Sequence, residues 1–326
     1  MGKPAIVMTT IQAPTEAIRK ISQQLGKIYD IVIIGDQKSP LDFSVENVNF
    51  YDIERQGKID LKLANILPYN HYSRKNIGYL IAARNDAEFI LETDDDNIPY
   101  DNFGANINLE VKGQIITAPC WFNVYKEFTS EYIWPRGFPV EQLNIKTIVH
   151  KSNRTEKCHI QQFLADMNPD VDAVYRLTRP FKNINFKNRK PVILEKSTLC
   201  PFNSQNTLTF KQAFPLLYLP SYVSFRMTDI WRSFIAQVVM WSMGWFLSFH
   251  SSTVYQERNV HNLLKDFEQE IPGYLKNQQI IDILNSISFS GLLDNRLYQA
   301  YEVLIKEKII EEQEIDLVEK WLEDLH

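Results

Sequence analysis

Cysteine is scarce in this chain. Cys120, Cys158 and Cys200 are the three among 326 residues. They are far apart and in no CxxC or CxxH spacing, which excludes a thiolate zinc site and a disulfide framework. They read as reduced, structural thiols. An excess of positive charge is lacking as well: 35 Lys and Arg against 40 Asp and Glu leave a formal charge of -5. Without a broad basic field, no nucleic-acid partner is expected, and any phosphate must be held locally by a metal ion, a helix N-terminus or a few placed cations. Long hydrophobic runs are missing too. Phe234 to Phe249 is the most apolar stretch, but it is shorter than the roughly 20 residues of a spanning helix and is interrupted by Gly244. It reads as a buried helix running into a buried strand, with at most peripheral membrane contact. The first residues carry no signal-peptide h-region, so a cytoplasmic location, at most at the inner face of a membrane, is the expectation.

What is present is apolar material for one main core: 44% of residues are hydrophobic and 23% charged. Ala5 to Thr10 is a β-branched run followed, after Pro14, by Ile18, Ile21 and Leu25 at helical spacing. Tyr29 to Ile34 is a second strand candidate, and Val48 to Tyr51 a third. A helix is predicted from Ser73 to about Asn85, and Glu88 to Leu91 reads as the next strand. Strand and helix alternate in this way through the first hundred residues, the pattern of a mostly parallel, doubly wound sheet whose ligands sit beyond the carboxyl ends of the strands. Further on, strands are predicted at Gly113 to Thr117, Val171 to Arg176, Val192 to Leu194 and Trp245 to Phe249. Trp231 to Met240 looks helical, and three helices punctuated by Gly273 and Gly291 follow Asn262.

The chemistry concentrates in Phe89-Ile90-Leu91-Glu92-Thr93-Asp94-Asp95-Asp96. Adjacent carboxylates past the end of a buried strand repel one another unless a cation or several donors neutralise them. Mg2+ or Mn2+, which takes carboxylate, phosphate and water oxygens, suits such a run. A solvated acidic turn is the competing reading. Two registers are open, Glu92 with Asp94 or Asp94 with Asp96, and Asp94 belongs to both.

The acidic run and the helix before it, Tyr72 to Gly78, resemble the helix, strand and DxD element of GT-A glycosyltransferases. More specifically, the chain resembles the STELLO family of glycosyltransferase-like proteins. The resemblance is carried by Tyr69 to Asn76, Trp134-Pro135-Arg136-Gly137-Phe138-Pro139, Cys200 to Thr207 and Arg226-Met227-Thr228-Asp229-Ile230-Trp231-Arg232, and it covers roughly residues 5 to 275. A fainter likeness to reversibly glycosylated polypeptides, which include UDP-arabinopyranose mutases, rests on Asp94 to Asp96, Asp170-Val171-Asp172-Ala173 and Asp229-Ile230-Trp231.

The resemblance implies a GT-A-like α/β fold, with a mixed, mostly parallel sheet flanked by helices and a helical C-terminal extension. Residues 1–262 would form the catalytic domain, 1–100 its nucleotide-binding half and 101–262 its acceptor half, with 263–326 as the extension. It implies transfer of a sugar from a nucleotide-diphosphate donor, UDP-linked, to a glycan, lipid-linked or other hydroxyl acceptor, as in polysaccharide biosynthesis. Thr9, Thr10 and Ile11 would hold the nucleotide, with Asp36 near the base or ribose. Arg74 and Asn76 would reach the diphosphate or the acidic run from their helix start, where backbone donors favour anions. Asp94 and Asp96 would hold Mn2+ or Mg2+, with His250 as a further metal ligand, its rival being His261. Asp95 would face the donor, and Arg258 would pair with diphosphate or cap the next helix. Asp229 would be the general base, or simply an N-cap. Trp121, Phe122, Tyr125, Trp134 and Phe138 would be either core or a sugar-stacking acceptor face. A nucleotide-sugar mutase and a catalytically silent binding subunit are the alternative functions, and an oligomer is compatible with all of them.

Overall fold

The computed structural model describes residues 2–146, 148–180, 182–257 and 262–326. The chain runs β1 (Ala5–Thr9), α1 (Glu16–Leu25), β2 (Asp30–Ile34), β3 (Val48–Tyr51), α2 (Ile53–Gln56), α3 (Lys75–Arg84), β4 (Phe89–Thr93) and β5 (Asn97–Pro99). It continues through β6 (Glu110–Thr117), α4 (Tyr125–Phe128), β7 (His150–Asp166), α5 (Ala173–Thr178), β8 (Val192–Leu194) and β9 (Asn206–Phe210). The last elements are α6 (Thr228–Met243), β10 (Phe246–Gln256), α7 (Leu263–Asn285), α8 (Leu293–Lys306) and α9 (Glu314–Leu325).

One sheet gathers all the named strands in the order β3-β2-β1-β4-β9-β7-β6-β8-β10-β5. The first four are parallel. Residues Ile31 to Ile34 and Phe89 to Thr93 are buried without a break, as expected of strands covered on both faces. Beyond β4 the sheet becomes mixed: β9 is antiparallel to β4 and to β7, β6 is antiparallel to β7, and β10 returns parallel to β7. The result is a mixed α/β sheet flanked by helices.

α3 lies against β1 and β2 because residue 78 is glycine. A Cβ there would meet Val7 Cγ1 at 2.6 Å and Ile34 Cγ1 at 3.1 Å, so a larger residue would push the helix off the sheet. α6 is buried on every face through most of its length. Its Trp231 and Phe234 each contribute about 1.5–3 kcal/mol of burial and join the main core. The apolar stretch singled out above is therefore a buried helix leading into a strand, and among the described residues no helix is long and apolar enough to cross a membrane.

Three expected elements differ. Residues 171–176 are not a strand: Asp172 caps α5, its carboxylate accepting the Tyr175 N–H at 2.7 Å, and the cap outweighs the β-branched pair around it. β10 extends seven residues past Phe249 to Gln256. Gly273 does not punctuate a helix but lies inside α7, where a Cβ would come within 2.3 Å of the Met227 sulfur. The C-terminal helices share the main core, through Leu284, Leu297, Tyr301, Leu304 and Trp321. Their polar side chains also hold the rest of the chain: Asn277 joins Trp231 Nε1 at 2.9 Å to the Gly137 carbonyl at 2.9 Å, and Glu314 accepts the Ser221 N–H at 3.0 Å.

Candidate active site

The carboxyl ends of β1, β2 and β4 open onto two adjoining clefts. The polar one, about 220 Å³, is lined by Asp94, Asp95, Asp96, Arg136, Asp170, Arg176, Ser204, Arg226, Asp229 and Gln256, among others. Its neighbour, about 310 Å³, is lined by Thr10, Ile11, Asp36, Lys38, Asn70, His71 and Arg74. Thr9, Tyr72, Asp95 and Phe225 border both.

The acidic turn is held from below. After β4 the chain turns and pairs β5 with the end of β10, Asn97 opposite Gln256. Asn97 is fully buried and donates to the Gln205 carbonyl at 2.7 Å and to Thr93 Oγ1 at 3.2 Å. Thr15, the N-cap of α1, donates to the Asp95 carbonyl at 2.5 Å. Each acid then has its own neighbour. Asp94 Oδ1 accepts the Tyr72 hydroxyl at 3.0 Å and lies 3.5 Å from Lys75 Nζ. Asp95 accepts the Thr10 hydroxyl at 2.5 Å. Asp96 accepts Gln256 Nε2 at 3.2 Å on both oxygens. Burial pushes the Asp94 carboxyl up to about 6, the ammonium of Lys75 opposing this and Asp96 adding to it.

The floor of the same cleft is built oppositely. Arg136 is buried and forks onto two carboxylates, Asp170 at 2.8 Å and Asp229 at 2.9 Å. It also donates to the Arg226 carbonyl. Asp229 further accepts the Ser204 N–H and hydroxyl, each at 3.2 Å. Burial alone would raise its pKa, but Arg136 outweighs it and holds the carboxyl at about 2. Tyr72 gives its one proton to Asp94, so Ser204 Oγ, 2.7 Å away, donates to Tyr72 when it bonds it, and the path from the acidic turn to the floor then runs through the Ser204 N–H on Asp229.

The STELLO glycosyltransferases family model matches residues 226–326. The chain is similar to the probable glycosyltransferase STELLO2 of Arabidopsis thaliana, 30% identical over 274 residues, covering 77% of this chain and 35% of that protein. It is also similar to the probable glycosyltransferase STELLO1 of the same plant, 27% identical over 348 aligned positions, covering 98% of this chain and 44% of that protein. The chain is thus similar to STELLO glycosyltransferases, by the family model in its last hundred residues and by these relatives over most of its length. It spans between a third and a half of the length of these relatives. Among solved structures it is similar to the crystal structure of M. tuberculosis glucosyl-3-phosphoglycerate synthase, with TM-score 0.38, 10% identity and coverage of 85% of this chain and 80% of that one.

Of the site residues expected from the sequence, Thr9, Thr10, Ile11, Asp36, Asp94, Asp95, Asp96 and Asp229 all line the two clefts. Several roles need correction. Glu92 is fully buried and ion-paired with Arg232 at 2.7 Å, with Tyr79 donating to it, so it takes no part in the acidic register and Asp94 with Asp96 remain. Asn76 does not reach the cleft: its amide clamps the Leu219 backbone, donating at 2.8 Å and accepting at 2.9 Å. Arg74 faces the second cleft but not the acids. Its guanidinium is held by Gln56 and the Leu67 carbonyl and lies over the Tyr69 ring. Lys75 places its ammonium 3.5 Å from Asp94 at the acidic turn.

His250 is also displaced. It stacks on Phe163, bonds Ser248 Oγ at 2.9 Å, and is held at about 4 by burial. Because β10 runs on, Gln256 occupies the strand end next to Asp96. Asp229 has an arginine and a serine on its oxygens, and a carboxyl held at about 2 is a poor proton acceptor; the geometry makes it the anchor of Arg136 instead of a base. Arg258 and His261 lie outside the described residues. Trp121, Tyr125, Trp134 and Phe138 are core, each no more than 4% exposed. The exposed ring at the clefts is Phe225, which makes edge contacts with His71 and Tyr72.

Among the described residues no three His, Cys, Asp or Glu side chains converge as a ready-made metal cluster. The donor set nevertheless fits a hard cation that brings oxygens of its own. Asp94 and Asp96 border one cleft, and the Asp94 carboxyl is raised by burial, with Asp96 adding to it. Mg2+ and Mn2+ are commonly held by one or two carboxylates completed by phosphate and water. Sequence reasoning missed Lys75, Arg136, Asp170 and Gln256 as site residues. Arg136 stood in a quoted motif, and its burial was the missing information.

Proposed function

We propose that this chain is a metal-dependent glycosyltransferase domain that transfers a sugar from a UDP-linked donor to a hydroxyl acceptor on a glycan or lipid-linked glycan. The observation that carries this reading is the placement of three adjacent carboxylates at the junction of two clefts of different character. One cleft is walled by β1 and β2 ends with Thr10, Ile11 and Asp36, and suits a nucleoside. The other is polar and suits a diphosphate and sugar. The relatives' description as probable glycosyltransferases supports it.

In this reading Asp94 and Asp96 hold Mn2+ or Mg2+ together with the donor diphosphate. The cation supplies charge stabilisation for the departing diphosphate. Thr10 and Gln256 orient the flanking acids through their hydrogen bonds to Asp95 and Asp96. Arg136, taken up by Asp170 and Asp229, keeps the floor of the cleft rigid, and Phe225 offers a ring face to base or sugar. Rate acceleration then comes from positioning and preorganised charge.

The test is a panel of nucleoside diphosphates assayed by thermal stabilisation with and without Mn2+. UDP should stabilise the chain only with the metal. Asp94→Ala should remove that Mn2+-dependent binding by at least about a hundredfold, the scale set by losing a charged ligand. Binding unchanged in Asp94→Ala, measured by calorimetry, rejects the metal assignment.

A further inference from the structure

Lys75 is the first residue of α3 and is entirely buried. An ammonium has three donors, and here the Thr93 carbonyl at 2.9 Å, the Tyr72 hydroxyl at 2.9 Å and the Ser204 carbonyl at 3.2 Å take them. Asp94 Oδ1, 3.5 Å away, is therefore faced by a charge fixed by other partners. Tyr72 accepts from this ammonium and donates its own proton to Asp94. The arrangement is a permanent cation standing directly behind the acid that borders both the turn and the cleft.

Resting on the functional reading above, we propose that Lys75 is a positioning residue that makes the acidic turn a weak site for a bare divalent cation, so that metal and nucleotide diphosphate bind together. A metal on the far side of Asp94 would lie at about the sum of the 3.5 Å separation and a metal–oxygen bond of about 2.1 Å. Across that distance a unit charge repels a divalent one by about a factor of ten in affinity even at the dielectric of water, and by more in a protein cleft. A diphosphate reverses the balance, because its negative charge is attracted by Lys75 as well as by the metal. Loading by free Mg2+ alone is thereby suppressed, and the donor arrives with its own cation.

The experiment measures Mn2+ binding by calorimetry or by the loss of free-ion paramagnetic signal, with and without UDP, at pH 8. In the unaltered chain, Mn2+ alone should bind at least about tenfold more weakly than Mn2+ with UDP, by the same charge term; equal affinities overturn the proposal without any variant. Lys75→Met should bind Mn2+ alone at least about tenfold more tightly and lose most of the advantage given by UDP. Tyr72→Phe, which keeps the ammonium and removes only the hydroxyl, should show no such gain. No gain in Lys75→Met, or an equal gain in both variants, sinks the inference while leaving the functional reading intact if UDP still binds with Mn2+. If no nucleoside diphosphate binds either form, the functional reading fails and takes the coupling of metal to diphosphate with it, whatever Lys75→Met does to the binding of Mn2+ alone. Failure of Lys75→Met to fold leaves the comparison within the unaltered chain to decide.

Discussion

The two ends of one cleft treat the same side chain in opposite ways. At the turn after β4, Asp94 is lifted to about 6 because burial outweighs the ammonium behind it. At the floor, Asp229 is held at about 2 because Arg136 outweighs burial. The two are linked through Tyr72 and Ser204. The turn sets three adjacent carboxylates beside the ammonium of Lys75. The floor has its own cation in Arg136 and is finished. A carboxylate's presence in a cleft therefore says little about its task until its counter-charge is known, which is why Asp229 reads as a base from sequence and as an anchor from structure.

The largest effect should come from breaking the finished end. Arg136→Met would leave Asp170 and Asp229 facing each other without their shared guanidinium. Removing one partner of a buried ion pair costs about 3–5 kcal/mol, so the denaturant midpoint should fall clearly at pH 7. The sign with pH follows from the lowered pKa of Asp229: its stabilisation is present above the unfolded value and lost as pH falls from about 4 towards 2. The variant should lack that part of the acid dependence. A midpoint unchanged by the substitution would show that the floor is not held by charge.

The same contrast explains what was legible beforehand. β1, β2 and β4 are visible in sequence because parallel strands covered on both faces must be apolar throughout. Asp94 to Asp96 are visible because the run follows a predicted buried strand, itself preceded by a helix, where a solvated acidic turn is the weaker reading. Lys75 is not, since a lysine at a helix start looks solvated until the helix is known to be buried there. Nor is the clamp: Arg136 is 34 positions from Asp170 and 93 from Asp229, and no local pattern reports such pairing. β7 escaped for a different reason. Its first half, His150 to Lys157, is largely exposed and has the composition of a loop, so only its pairing with β6 reveals a strand.

An intermediate effect should appear when pH is varied against ligand binding. Metal ligands must be deprotonated, so with Asp94 at about 6 Mn2+-dependent binding should weaken as pH falls below that value, by up to about tenfold per unit. A UDP-sugar is the suitable probe, because its diphosphate is esterified at both ends and does not itself titrate in that range. Calorimetry at pH 5, 6, 7 and 8 reads the profile. Asp229→Asn should lower its midpoint slightly, because the charge of Asp229 is the last of the causes that raise Asp94. A midpoint that rises in Asp229→Asn would break that coupling between the two ends of the cleft.

The smallest expected effect is at His250, where fold resemblance and geometry part. Six residues separate it from Gln256 along β10, roughly 20 Å at strand rise. Its ring is engaged by Phe163 and Ser248, and burial keeps it neutral near pH 7. His250→Phe preserves the stacked ring and should change Mn2+-dependent UDP affinity by less than about twofold, below the 1.4 kcal/mol that a tenfold change represents. Gln256→Ala removes the donor that touches Asp96 on both oxygens and should weaken binding more than the histidine substitution does. If that order is reversed, the metal site extends to the middle of β10 and the contrast between the two ends of the cleft no longer describes it.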